Sequence, residues 1–404
     1  MKKIKLALPL LAGLSCVPAQ AVLTPLLNAD LNSLSLFAHA AVTTGATSKV
    51  FGSFEAGAGA TIDDSSTIRN NVFAGADATM GANSKVGGNF WAGSAGTIGA
   101  KSSVGGSFQS MAAATVGANA TLGGNLSAGA AVNLGAGSQV AGNMKAGAAA
   151  TLGVGAVVAG TSSASSTPTF TGIPTVASVA AQSALISHAK ADLKGVAAGT
   201  LLGVTIGGVN TFKAGVYNAT ALTMAAGTTI KLDGQNLANQ LWLFNIDTYL
   251  VAGASSTVEL INAGAGSSII WNSGSYTTLG ASNNFMGTIF SEGAVTVGAS
   301  SAITGPNTSC GGIFSATAAI TVGALSTIGS EGCSGSTNAY WDTVSDPGTS
   351  GPTLRSDPTG GVTPPHQSGG NQVPEPATLV LVFAGLAGMV LTSRRSQRAS
   401  SPAC

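Results

Sequence analysis

The 404 residues carry 16 Lys or Arg against 15 Asp or Glu, only 8% charged, with 57 Gly, 45% hydrophobic and 5% aromatic residues. Between residues 22 and 372 ten basic residues face fourteen acidic ones, a net of −4 with no basic run, which argues against a nucleic-acid partner. Apolar content this high and this periodic argues against a disordered chain.

In chain order, Lys2, Lys3 and Lys5 precede the apolar run 6–14, and Ala19-Gln20-Ala21 offers a small-x-small cleavage site, so residues 1–21 read as a signal peptide. Cys16 leaves a lipoprotein open, although Gly13 stands where that signal wants Leu. The body, residues 22–334, then repeats every 18 residues. Val50, Ile68, Val86, Val104, Leu122, Val140 and Val158 mark the period over 42–162. Small residues follow six later (Ala56, Ala74, Ala92, Ser110, Ala128, Ala146), and apolar ones six beyond (Ile62, Met80, Ile98, Val116, Leu134, Leu152). Three hexads per period predict an all-β solenoid of triangular coils. Gly after many core positions, as at Gly87, Gly99, Gly105 and Gly123, suits corners in the left-handed conformation.

Residues 163–174 break the period, and 176–198 switch to helical spacing, with Val179, Ile186, Ala189, Leu193 and Val196 on one face. Pro174 and Thr175 are start signals and Gly199 a stop, so one long helix is expected to lie along the solenoid and interrupt it. Coils return over 214–330, where Thr278-Leu279-Gly280-Ala281, Thr296-Val297-Gly298-Ala299 and Thr321-Val322-Gly323-Ala324 are near copies. Cys310 and Cys333 are an even pair in an exported chain and are expected to form a disulfide. Residues 335–372, rich in Gly, Pro, Ser and Thr, read as a linker.

Residues 373–398 hold Val373-Pro374-Glu375-Pro376, the apolar run 377–391, and Arg394 and Arg395. This tail resembles the PEP-CTERM sorting signal. The resemblance implies an exosortase as a partner, transient membrane insertion, and delivery to the cell surface or an exopolysaccharide matrix. As a plain anchor the run is short for a span of about 20 residues.

The body resembles the ice-binding protein family that carries domain of unknown function 3494, over roughly residues 34–330. The carrying stretches are Leu36-Phe37-Ala38, Ala41-Val42-Thr43-Thr44, the Ala-rich helix, Ala214-Gly215-Val216-Tyr217 and Leu241-Trp242-Leu243-Phe244-Asn245-Ile246. Val258-Glu259-Leu260-Ile261-Asn262-Ala263, Ile270-Trp271, Thr278-Leu279-Gly280 and Phe285-Met286-Gly287-Thr288-Ile289 complete them. The resemblance implies a secreted, non-catalytic protein whose ligand is ice or ordered water, with no cofactor.

The residues themselves supply the candidate site. Thr61, Thr79, Thr97, Thr115, Asn133 and Thr151 hold one position of successive coils, each just before an inward apolar residue, so they point outward. Thr278, Thr296 and Thr321 hold the same motif position after the helix. Rungs about 4.7–4.8 Å apart place hydroxyls and methyls near the repeat of water on an ice plane. A purely structural hydroxyl ladder remains open, as does a rigid matrix or adhesive protein without ice affinity. A second column, Ser53, Asn71, Asn89, Ser107, Asn125 and Asn143, reads as a coil-to-coil ladder. No catalytic or metal-binding constellation is visible: His39, His188 and His366 lie outside the regular coils, and Asp63, Asp64 and Asp77 read as solvated acids beside Arg69. Trp91, Trp242 and Trp271 suit either sugar stacking or aromatic caps.

Overall fold

In the computed structural model, which describes residues 23–170, 175–342 and 353–356, the 18-residue period becomes one turn of a β-solenoid. Each turn lays a short strand on each of three faces, giving sheets of 13, 14 and 13 strands whose neighbours run parallel. One turn shows why. In Val132–Leu134 the pleat sends Val132 and Leu134 into the core and Asn133 outward. Leu126 and Val140, on the other two sides of that coil, meet them inside. The core is a continuous axial stack of such residues, with Phe54, Phe90 and Phe108 as its largest members in the first section.

The corners differ from the expected glycine turns. In the regular coils of the first section the left-handed corner residues are Thr47, Ser65, Asn83, Lys101 and Asn119, then Gly137 and Gly155. Gly87, Gly99, Gly105 and Gly123 are not among them. They are required for closeness instead: a Cβ on Gly87 would lie 2.0 Å from the Arg69 carbonyl oxygen, and one on Gly99 2.4 Å from the Gly81 carbonyl carbon. Coil stacking leaves no room there for a side chain.

The chain visits the rod in an unexpected order. The first section begins at its middle, with Leu34–Ala38, Val42–Thr44 and Lys49–Val50, and winds out to Ser162–Ser163 at one end. The second section starts at the opposite end, with Thr200–Leu201, Thr205–Ile206 and Val209–Lys213, and winds back to the middle. Its first turn thus precedes residue 214, where coils were expected to resume. The sections meet through parallel pairing of Leu36 with Ile313, Thr43 with Thr321 and Lys49 with Thr327. No covalent continuity runs through this joint.

The long helix, Val176–Gly195, returns along one face of the rod. Thr175 caps it reciprocally with Ser178, and it stops three residues before the expected 198 because Val196 turns extended after Gly195. Val179, Ile186, Ala189 and Leu193 are buried against Phe37, Leu243, Ile270, Phe290 and Phe314. At 1.5 Å per residue its 20 residues cover about 30 Å, or about six rungs. Part of the expected linker is ordered: Ala339–Asp342 pairs antiparallel with Leu23–Pro25 and with Thr353–Ser356. Its alternate residues Ala339 and Trp341, with Leu354 paired to Trp341, have a small apolar patch to join, which composition alone concealed. The signal segment and the sorting tail lie outside the described residues.

Candidate functional site

The candidate site lies on the face whose sheet includes the strand Val132–Leu134. Its sheet aligns, rung by rung, Thr151, Asn133, Thr115, Thr97, Thr79, Thr61 and Thr43, then Thr321, Thr296, Thr278, Val251, Thr223 and Thr205. The two columns expected separately are one column of thirteen positions, eleven of them Thr, roughly 58 Å long at strand spacing. Thr43, Thr205 and Thr223 were missed. Thr43 sits one period before Thr61, and Thr205 and Thr223 are themselves one period apart but separated from the later copies by longer coils.

The surroundings of the column are flat. Two residues after the outward position stand Gly45, Gly81, Gly99, Gly117, Gly135 and Gly153, continued by Gly323, Gly298 and Gly280, with Asp63 after Thr61 as the exception. Two before it stand Ala149, Ala131, Ala113, Ala95, Gly59, Ala41, Ala319 and Ala294, with Asp77 as the exception. The pattern changes at the far end, where Tyr276 and Tyr249 stack at 5.4 Å and Val251 replaces Thr. The even stretch therefore runs over nine rungs, from Thr296 to Thr151.

Other candidates resolve into structure. In the second column Asn71 Oδ1 accepts from the Asn89 N–H at 2.8 Å and Asn89 Oδ1 from the Ser107 N–H at 2.7 Å, so the column links coil to coil. A buried ladder that the sequence did not reveal runs through Ser48, Ser66, Ser84 and Ser102, each backbone N–H reaching the next hydroxyl. Asp64 and Asp77 accept from the Ala82 and Ala95 N–H groups one coil on. Trp242 and Trp271 are neither caps nor sugar platforms: both are fully buried, with indole N–H groups on the Phe212 and Met286 carbonyls. Trp91 stacks on Phe73 at 4.4 Å and is nearly buried. Cys310 and Cys333 are joined as a disulfide that ties the 306–312 loop to the end of the last coil. Among the described residues no group of three or more His, Cys, Asp or Glu is placed to hold a metal.

Two titratable groups lie under the helix rather than on the threonine face. Burial pushes the Glu55 carboxyl up to about 7, opposed by the Gln182 amide and aided by Asp30. With that amide oriented to donate, its nitrogen lies 3.1 and 2.7 Å from the two carboxylate oxygens. Burial draws Lys190 down to about 8, with Glu292 opposing and Lys194 assisting.

Residues 135–328 match a family model described as ice-binding-like, and residues 372–395 one described as a PEP-CTERM protein-sorting motif. No curated protein matches the chain. Among solved structures, an ice-binding protein from the Antarctic ascomycete Antarctomyces psychrotrophicus is 15% identical, spanning 76% of this chain and 98% of that one at a TM-score of 0.40. An ice-binding protein from an Antarctic biological consortium is 14% identical, spanning 76% and 90%, at 0.42. The ice-binding protein domain of Shewanella frigidimarina is 22% identical, spanning 55% and 92%, at 0.34. Residues 135–328 are thus similar to the ice-binding-like family, and at 372–395 the chain has a PEP-CTERM motif that marks it for export and sorting to the cell surface.

Proposed function

We infer that this is an exported, non-catalytic protein that binds ice through its threonine face. One observation carries the reading: a single uninterrupted file of outward Thr, flanked mostly by Ala and Gly, crosses the joint between two sections that are remote in sequence. The ice-binding-like match over residues 135–328 supports the same ligand. Each rung presents one hydroxyl and one methyl at the strand repeat of about 4.8 Å. The methyls favour ordered water over them while the hydroxyls hydrogen-bond to it, so a regular file holds a sheet of water that can merge with an ice lattice. Nine even rungs, from Thr296 to Thr151, form the working surface, and Asn133 keeps a polar group within it. Beyond Thr296 the stacked Tyr276 and Tyr249 rings replace the small flanking residues and end it.

The chemistry asked of the face needs no acid, base or metal, in keeping with flanks in which Asp63 and Asp77 are the only charged positions among the nine rungs. An exosortase would act on the tail bearing Val373, Pro374, Glu375 and Pro376, with Arg394 and Arg395 behind the apolar run. Thermal hysteresis and ice shaping by the purified folded protein test the reading. Faceted ice and a freezing gap are expected, whereas unaltered ice growth would replace it with a rigid matrix or adhesive protein.

A further inference from the structure

A cavity of about 270 Å3 between the last turns of the long helix and the solenoid is lined by Lys190, Lys194, Asn245, Asp247, Asn272 and Glu292. Lys190 enters it from the helix and is only 7% exposed, and Asn245 and Asn272 are each 6% exposed. A buried ammonium normally requires a carboxylate partner. Among the described residues Lys190 makes no ion pair, while Asp247 in the same cavity is engaged by Lys194 at 3.2 Å. Its Nζ instead donates to Asn272 Oδ1 at 3.1 Å and to the Ser273 carbonyl.

The Asn272 amide is held rigidly. Its Nδ2 donates to the Lys190 carbonyl at 3.0 Å and to Asn245 Oδ1 at 2.9 Å, so its carbonyl end faces the amine. The carbonyl carbon lies one bond beyond the oxygen that Nζ already touches. Glu292 faces the same cavity, and its backbone N–H shares the Ser273 carbonyl with the lysine.

The geometry points to a covalent modification: an isopeptide bond between Lys190 Nζ and Asn272 Cγ, formed within the folded protein with loss of ammonia. The lone pair of the neutral amine adds to Cγ and the bond from Cγ to Nδ2 breaks. One proton passes from Nζ to the departing nitrogen by way of the Glu292 carboxyl. A secondary amide and one ammonia result, with no oxidant or reductant consumed. Burial that favours the neutral amine also favours the attack, and the amine and the amide it attacks are themselves almost wholly buried. The bond would fix the helix to the strand Ser268–Ser273, beside the hydrogen bond that Asn245 of the strand Leu241–Ile246 donates to the Leu193 carbonyl. Lys190 would then need no counter-ion.

Mass spectrometry of the folded, full-length protein tests this. Tryptic digestion after disulfide reduction is expected to give one branched species that joins the peptides bearing Lys190 and Asn272. It should be uncleaved after Lys190 and lighter by one ammonia than the two peptides together. Lys190→Arg should restore two separate peptides, and Glu292→Gln should leave most of the protein unlinked while its circular dichroism stays unchanged. Separate wild-type peptides with cleavage after Lys190 would overturn the proposal outright, whether or not either variant folds. Loss of ammonia that persists in Lys190→Arg would overturn it too, by assigning the loss to cyclisation of Asn272 alone.

Discussion

Thr97 and Thr115 are neighbours in the middle of the nine-rung stretch, and their outward side chains contribute nothing to the core. Replacing both by Tyr should abolish ice shaping and hysteresis while changing stability by less than about 0.5 kcal/mol per site, read from thermal melts. Thr43→Tyr should act the same way although it lies outside the columns visible in the sequence, since it is the rung at the joint. Gly99 makes the opposite prediction. Gly99→Ala adds a methyl within 2.6 Å of the neighbouring coil's backbone, so it should cost about 1–3 kcal/mol in urea unfolding. Glu55 ties residue chemistry to pH. Its folded-state value of about 7 lies above the ordinary 4.5, so the folded state holds its proton more tightly than the unfolded chain does. Stability from this group is therefore full below about 4.5 and is lost as pH rises towards 7. Glu55→Gln should flatten that window and raise neutral-pH stability by up to about 3 kcal/mol, measured as denaturation midpoints across pH. Lys190, if unmodified, acts in a different window: its value of about 8 lies below 10.5, so stability would rise as pH climbs between them.

At the scale of elements, the helix joins the two sections by covering the face that both share. Leu193 is fully buried at its C-terminal end, and Leu193→Ala should cost about 2–5 kcal/mol by thermal or urea unfolding. Its apolar spacing was readable because helical and strand periods differ, and Val179, Ile186, Ala189 and Leu193 are buried as that spacing requires. The stop was misplaced because Gly195 and Gly199 offer equal local signals, and only the approach of Gly199 to the Val216 carbonyl shows that the chain has already left the helix. The disulfide closes a loop of 23 residues. Cys310→Ser with Cys333→Ser should lower stability by about 3 kcal/mol, seen as a fall in Tm without loss of solenoid circular dichroism.

For the whole molecule, a repeat of eighteen fixes what any one coil looks like, because inward and outward positions alternate locally and each Thr precedes its own core residue. Period, outward Thr, coil-linking Asn and the helix were therefore all present in the sequence. A local pattern carries no information about which end of one section meets which end of another. That choice belongs to the burial of the two unpaired end rungs, Leu34–Val50 and Gly312–Ile328, against each other. It also follows from inward residues at the joint, where Ser48 Oγ donates to the Gly323 carbonyl 275 residues away. The amino-acid order by itself determined two short threonine files. Only the tertiary structure made them one, because parallel pairing has a single register that keeps both sets of apolar side chains inside, and in that register Thr43 lies between Thr61 and Thr321.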